Sequence, residues 1–210
     1  MNELGFRHKF IEGDLSGDAV TLLLLHGTGG DESDLIPLGQ AVAPGAALLS
    51  PRGGTLENGM PRFFRRVAEG VFDQEDLRIQ TEKLAQFIKD ASRAYGLRSD
   101  RVVAVGYSNG ANMASSLLFT QPHLLAAAIL FRPMVPFVPS KMPDLRTLQV
   151  LIAAGNRDTI ASRQETGRLV KLFEGGGAAV TTFWHEGGHE LGQDDLGAAK
   201  GWVSQWLAML

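Results

Sequence analysis

No cysteine occurs among the 210 residues. That absence removes disulfides, thiolate metal sites and a cysteine nucleophile together, and it suits a reducing compartment. Long apolar runs are missing too: the stretch Val20 to Leu25 is far too short to span a bilayer. The opening residues Met1-Asn2-Glu3-Leu4-Gly5-Phe6-Arg7-His8 lack the basic-then-apolar order of a signal peptide. A cytoplasmic protein without membrane insertion is therefore expected. Charge is nearly balanced, with a formal net of −3. Neither that value nor any lysine/arginine run gives reason to expect nucleic acid or a membrane surface as partner.

What is present is the make-up of a soluble globular protein, 44% hydrophobic and 20% charged. The length suits one domain over 1–210 with a sizeable core, and no internal repeat or linker interrupts it. Strand-like runs alternate with helix-like ones. Ala19–Leu25 is apolar on both faces, as a central parallel strand requires. Helix-start residues Asp31–Asp34 precede Leu35–Val42, and Ala46–Ser50 reads as a strand stopped by Pro51. Residues 51–73 show no clean period. Glu75–Tyr95 is the clearest helix, with Leu77, Leu84, Ile88, Ala91 and Tyr95 on one stripe and Gly96 as its stop. Further strands are expected at 101–105, 126–131, 148–154 and 178–184, with helices at 162–173 and 191–209. The pattern predicts an α/β fold with a mostly parallel central sheet, helices on both faces and no large lid domain.

In such a sheet, ligands bind beyond the carboxyl ends of the strands, and the reactive residue types fall there. Gly106-Tyr107-Ser108-Asn109-Gly110 follows one strand and opens a helix, the arrangement of a nucleophile elbow. His26-Gly27-Thr28-Gly29-Gly30, Gly155-Asn156-Arg157-Asp158 and Gly187-Gly188-His189 each follow another strand. A serine hydroxyl needs a base, a histidine supplies one near neutral pH, and an aspartate fixes the imidazole tautomer. Ser108 is thus expected as nucleophile, His189 as general base and then acid, and Asp158 as the orienting carboxylate. The backbone N–H groups of Asn109 and Thr28 are the expected oxyanion donors.

Each assignment has a rival. Asp158 could simply be a helix cap before Thr159-Ile160-Ala161. Asp144 precedes its strand, and Asp194 and Asp195 follow the histidine. His185 competes with His189 as base. His26 reads as structural, bonding to nearby backbone, and His8 and His123 as solvated. His185-Glu186-Gly187-Gly188-His189 also matches the H-E-x-x-H zinc expression. That chemistry needs both histidines on one face of a stable helix, and two adjacent glycines oppose one, so no metal is expected.

With these residues in place, the sequence resembles the phospholipase/carboxylesterase family of α/β-hydrolases, which includes acyl-protein thioesterases. The carrying segments are Leu25–Glu32, Gly106–Gly110, Ala154–Asp158 and Gly187–His189. Ser50–Gly53, Glu57–Phe64 and Phe131–Pro136 further resemble a bacterial branch that includes hydroquinone-induced carboxylesterases. The resemblance spans nearly the whole chain. It implies a cofactor-free serine hydrolase acting on carboxylic esters or thioesters, with Ser108, Asp158 and His189 as the triad and Thr28 and Asn109 in the oxyanion positions. The chain departs from the family pattern at Asn109, where glutamine is frequent. It also lacks the proline expected near Thr159–Ser162.

With little room for a lid, the pocket walls are expected from loops 51–73 and 131–143. Phe63 and Phe64 are candidates for an apolar acyl wall, with core packing as the alternative. Arg52, Arg62 and Arg132 are the cations available to an acidic substrate group, with surface charge or a structural ion pair as the alternative. The expected partner is a small-molecule ester of small to medium acyl length. A non-catalytic binding or sensing protein on a hydrolase fold is the rival function. Trp202, Trp206 and Leu210 leave the last helix free to pack inward or to form a homodimer.

Overall fold

The computed structural model describes residues 4–14 and 20–209. The sequence readings at Met1–Glu3, Ala19 and Leu210 lie outside the described residues.

Seven strands form the central sheet in the order β1-β3-β2-β8-β9-β10-β11. Strand β2 (Thr21–Leu25) lies between β3 (Ala47–Pro51) and β8 (Val102–Tyr107). The sheet then runs through β9 (Ala127–Phe131) and β10 (Gln149–Gly155) to β11 (Ala179–His185). All these neighbours pair in parallel. The exception is β1 (His8–Ile11), which joins β3 antiparallel at the edge. Sequence periodicity gave no sign of it, because four half-exposed residues are too few to show alternation.

The runs that read as two-sided strands are two-sided. Leu23, Leu25, Val102 and Ala104 point into one core cluster, and Leu22, Leu24, Val103 and Val105 into the other. Strand side chains alternate between faces, so each strand feeds both layers. The first cluster is closed by α2 (Gln74–Tyr95), α3 (Asn109–Thr120) and α4 (Arg163–Gly175). The second is closed by α1 (Ile36–Val42) and α5 (Gln193–Leu207). Trp202 and Trp206 of α5 pack inward on that second face, 8% and 3% exposed. Helix α2 starts where the side chain of Asp73 accepts the Asp76 N–H, and it stops at Gly96 with φ 65°. Glycine tolerates that left-handed conformation without a Cβ clash.

Residues 51–73, which showed no period, build two short hairpins: β4 (Thr55–Glu57) with β5 (Met60–Arg62), and β6 (Arg66–Ala68) with β7 (Val71–Phe72). His8 is not simply solvated. Its Nδ1 lies 2.8 Å from Phe6 O and its Nε2 2.7 Å from Tyr95 Oη. His123 is exposed. Among the described residues, no helix is long and apolar enough to cross a membrane.

Candidate active site

Ser108 stands between β8 and α3 with φ 51° and ψ −112°. A non-glycine residue there carries strain of about 1–3 kcal/mol. Tight packing around the turn sustains it. A Cβ built on Gly110 would lie 2.0 Å from Leu25 O, and one on Gly106 would lie 2.7 Å from Ala111 Cα. The Ser108 N–H donates to Phe131 O at 2.9 Å, and Ser108 O accepts the Asn112 N–H at 3.0 Å. The side chain is thereby set at the carboxyl edge of the sheet.

Two other side chains meet it there. His189 Nε2 lies 2.8 Å from Ser108 Oγ, and His189 Nδ1 lies 2.8 Å from Asp158 Oδ2. The other Asp158 oxygen, Oδ1, accepts the N–H groups of Ile160 at 2.8 Å and Ala161 at 2.9 Å. A carboxylate held this way has one oxygen committed to backbone and one facing the imidazole. No helix begins at Thr159–Ala161, and α4 is capped by Ser162 instead, so Asp158 closes a local turn rather than a helix while it contacts the histidine.

The rival residues lie elsewhere. Asp144 is exposed and paired with Arg146. His185 accepts the Gly187 N–H on Nδ1 at 2.9 Å, and its Nε2 is 3.8 Å from Asp195 Oδ1. The segment from His185 to His189 leaves β11 as a non-helical loop, so the two histidines do not share a helix face. His26 is structural: its Nδ1 lies 2.6 Å from Gly27 O, and its Nε2 accepts the Gly53 N–H at 2.9 Å. These partners assign the neutral Nδ1–H tautomer. Burial, which disfavours the charged ring, holds its pKa below the ordinary 6.5.

The donors next to Ser108 divide into committed and available ones. Gly29 N–H donates to Pro61 O at 2.9 Å and Gly30 N–H to Gly27 O at 3.2 Å. Asn109 N–H is the first amide of α3, and the first four amides of a helix lack intrahelical acceptors. The helix N-terminus also favours negative charge. Asn109 holds the turn through its side chain, whose Oδ1 accepts the Phe63 N–H at 2.8 Å.

Four expected substrate contacts require correction. Arg132 is fully buried, 0% exposed, and cannot meet a substrate. All five of its N–H donors are used inside the protein. Nη1 and Nη2 pair with Asp195 at 2.8 and 2.7 Å, Nη1 also reaches Ala153 O, Nε reaches Gly188 O, and Nη2 reaches Glu190 O. The guanidinium therefore grips the carbonyls on both sides of His189. Tyr107 Oη adds a hydrogen bond to the His189 carbonyl itself at 3.1 Å. Arg52 pairs with Glu32 and Asp31. It borders a separate cavity of about 690 Å³ formed with Leu4–Arg7 and α2, which contains none of Ser108, Asp158 and His189. Phe63 and Phe64 are core residues, 2% and 0% exposed. Aromatic side chains in a long aperiodic segment carry no sequence mark of whether they face a pocket or the core.

The cavity beside Ser108 and His189 is smaller, about 250 Å³. Thr28, Arg62, Arg66, Phe72, Met134 and Ile160 line it. Segment 51–73 supplies Arg62, Arg66 and Phe72 to its walls and 131–143 only Met134, while Thr28 and Ile160 come from neither. Burial pushes the Arg62 guanidinium below its ordinary pKa; Glu57 opposes that shift and Arg66 adds to it.

A family model described as phospholipase/carboxylesterase matches residues 7–207. MhqD of Bacillus subtilis (strain 168), named as a hydrolase, is 47% identical over 184 residues, covering 88% of this chain and 92% of that protein. The carboxylesterase of Bacillus cereus superposes with a TM-score of 0.93 at 46% identity, over 95% of this chain and 94% of that one. A carboxylesterase from Mesorhizobium loti superposes with a TM-score of 0.89 at 32% identity, over 97% of each chain. With a parallel sheet carrying a strained serine at the end of β8 and a histidine loop beyond β11, the chain is a hydrolase of α/β-hydrolase fold that belongs to the phospholipase/carboxylesterase family.

Proposed function

We propose that this hydrolase is a serine carboxylesterase, cleaving esters of small to medium acyl groups, thioesters included, through an acyl-enzyme. Ser108 Oγ attacks the carbonyl carbon while His189 Nε2 takes its proton. Asp158 holds the imidazole in the Nδ1–H tautomer and stabilises the imidazolium that forms. The N–H groups of Thr28 and Asn109 receive the negative oxygen of the tetrahedral intermediate. His189 then returns the proton to the leaving alkoxide. A water activated by the same imidazole releases the acid and restores the serine.

The observation that carries this reading is the unbroken relay from Asp158 Oδ2 through His189 to Ser108 Oγ, both links 2.8 Å. A fluorophosphonate should label Ser108 stoichiometrically, and Ser108→Ala should abolish both labelling and p-nitrophenyl acetate hydrolysis. Labelling at another residue, or full activity in Ser108→Ala, would overturn the assignment.

A further inference from the structure

Arg62 is a buried cation whose counter-charge is largely taken by another residue. Its side chain is 4% exposed, and its nearest carboxylate, Glu57, is 3.4 Å away. Glu57 is engaged more closely by Arg66, whose Nε lies 2.8 and 3.2 Å from its two oxygens and whose Nη2 lies 2.7 Å from Oε1. Two guanidinium groups thus share one carboxylate. Glu69, the acidic residue that borders the cavity, is exposed to water, where its field is screened. Arg62 donates from Nε to Phe64 O at 3.2 Å and from Nη1 to Thr28 Oγ1 at 2.6 Å. Its Nη2 makes no hydrogen bond among the described residues. The contrast with Arg132, equally buried but with every donor used and a carboxylate of its own, is direct.

A buried guanidinium short of charge and of acceptors is costly unless something else supplies both. Arg62 lines the same cavity as Ser108 and His189, so the group best placed to supply them is part of the substrate. We propose that the substrate carries a free carboxylate, received by Arg62, a few bonds from the scissile carbonyl. The short distance follows from the Thr28 contact: Arg62 bonds the side chain of the residue whose backbone N–H is assigned to the oxyanion. The cavity of about 250 Å³ suits a short acid. Half-esters of four- and five-carbon dicarboxylic acids fit both constraints. A planar fork of donors also matches a carboxylate better than a single polar atom. The proposal rests on the esterase reading above.

The test compares kcat/KM by pH-stat titration for two matched pairs. Monomethyl glutarate against methyl valerate places the carboxylate on the acyl side. 3-Acetoxypropanoate against neutral propyl acetate places it on the alcohol side at the same four-bond separation. One anionic ester should exceed its neutral match by about 10- to 100-fold, the range for a charge-assisted hydrogen-bonded pair, and the favoured pair identifies the side. Arg62→Gln should bring that ratio to about one or below, with Arg62→Lys in between. Glu57→Gln, which frees both arginines, should raise it. Because these are ratios within one variant, a general loss of activity does not obscure them. Neutral esters turned over as fast as or faster than their anionic partners in the wild type would overturn the proposal while leaving the esterase reading intact. If neither pair reacts and Ser108 resists fluorophosphonate, the esterase reading fails. Calorimetric titration with glutarate then decides separately: binding lost in Arg62→Gln supports the anion site, and no binding to the wild type refutes it.

Discussion

Replacing Asp158 by asparagine should disable the site without disturbing the fold, and the structure dictates which way the new amide must point. Asp158 Oδ1 accepts two backbone N–H groups, from Ile160 and Ala161, at 2.8 and 2.9 Å. An amide NH₂ turned toward those donors would leave both unpaired, at about 1–3 kcal/mol each. The amide oxygen therefore stays on the backbone side, and the NH₂ faces His189 Nδ1, 2.8 Å from the original oxygen. Facing a donor, Nδ1 must act as acceptor, and the imidazole proton moves to Nε2. The atom that should take the Ser108 proton is then already protonated. A forced tautomer of this kind lowers kcat by about 10⁴ in a serine hydrolase, or about 5.4 kcal/mol at 1.36 kcal/mol per decade. Stability should change by less than about 1 kcal/mol, because the backbone contacts survive. The assay is p-nitrophenyl acetate turnover with the rate of fluorophosphonate labelling, and thermal melting serves as the folding control. Asp144→Asn, at an exposed carboxylate paired with Arg146, should be fully active. An Asp158→Asn protein that melts normally and keeps more than a tenth of wild-type kcat would refute the reasoning.

Arg132→Met should destabilise the protein by about 3–5 kcal/mol by leaving Asp195 buried and unpaired. For a chain of this size that lowers the melting temperature by roughly 6–20 °C. Arg132→Met with Asp195→Leu should recover much of the loss, and calorimetry that finds the single and double variants alike would count against a buried pair. Gly110→Ala should fail to fold or lose activity, since its Cβ would sit 2.0 Å from Leu25 O, whereas Gly197→Ala on α5 meets open space and should gain about 0.4–1 kcal/mol. Urea midpoints of the two check this. His26 gives a pH signature. Its folded pKa is held below 6.5 by burial, so as the pH falls the unfolded chain takes up the proton first. The stability His26 contributes is complete above pH 6.5 and drains away below it. The stability advantage of the wild type over His26→Gln should shrink between pH 7 and pH 5. A constant advantage over that range would show that the ring is protonated equally in both states.

Most of the sheet could be read because its strands are buried on both faces, and runs such as Leu22–Leu25 and Val102–Val105 have no other simple explanation. The meeting of Ser108, Asp158 and His189 was legible for a related reason: each follows a strand, and a parallel sheet gathers its strand ends along one edge, although β11 before His189 is exposed or half-buried throughout. Individual side-chain destinations in aperiodic stretches were not legible. Phe63, Phe64 and Phe72 have the same chemistry within ten positions and join one core cluster, yet of the three only Phe72 also borders the cavity. The three-residue strands β4, β5 and β6 are too short to reveal a period. Arg132 looked like a free cation at a strand end because its partner Asp195 lies 63 positions away, and nothing local signals a pairing that only the closed fold creates. Arg66, the residue that draws Glu57 away from Arg62, was missed for the same reason.

The two hairpins between β3 and α2 divide labour within the chain. Reaction machinery is anchored in strand ends that cannot shift without disturbing both core layers, whereas Arg62, Arg66 and Phe72 all come from one excursion of the backbone. Its tips, carrying Leu56, Val67 and Val71, stand in water. Changing its exposed tips would reshape the cavity wall, provided that the bonds from Pro61, Arg62 and Phe63 to Gly29, Thr28 and Asn109 are kept. A loop graft from a relative that preserves those contacts is the natural way to redesign it.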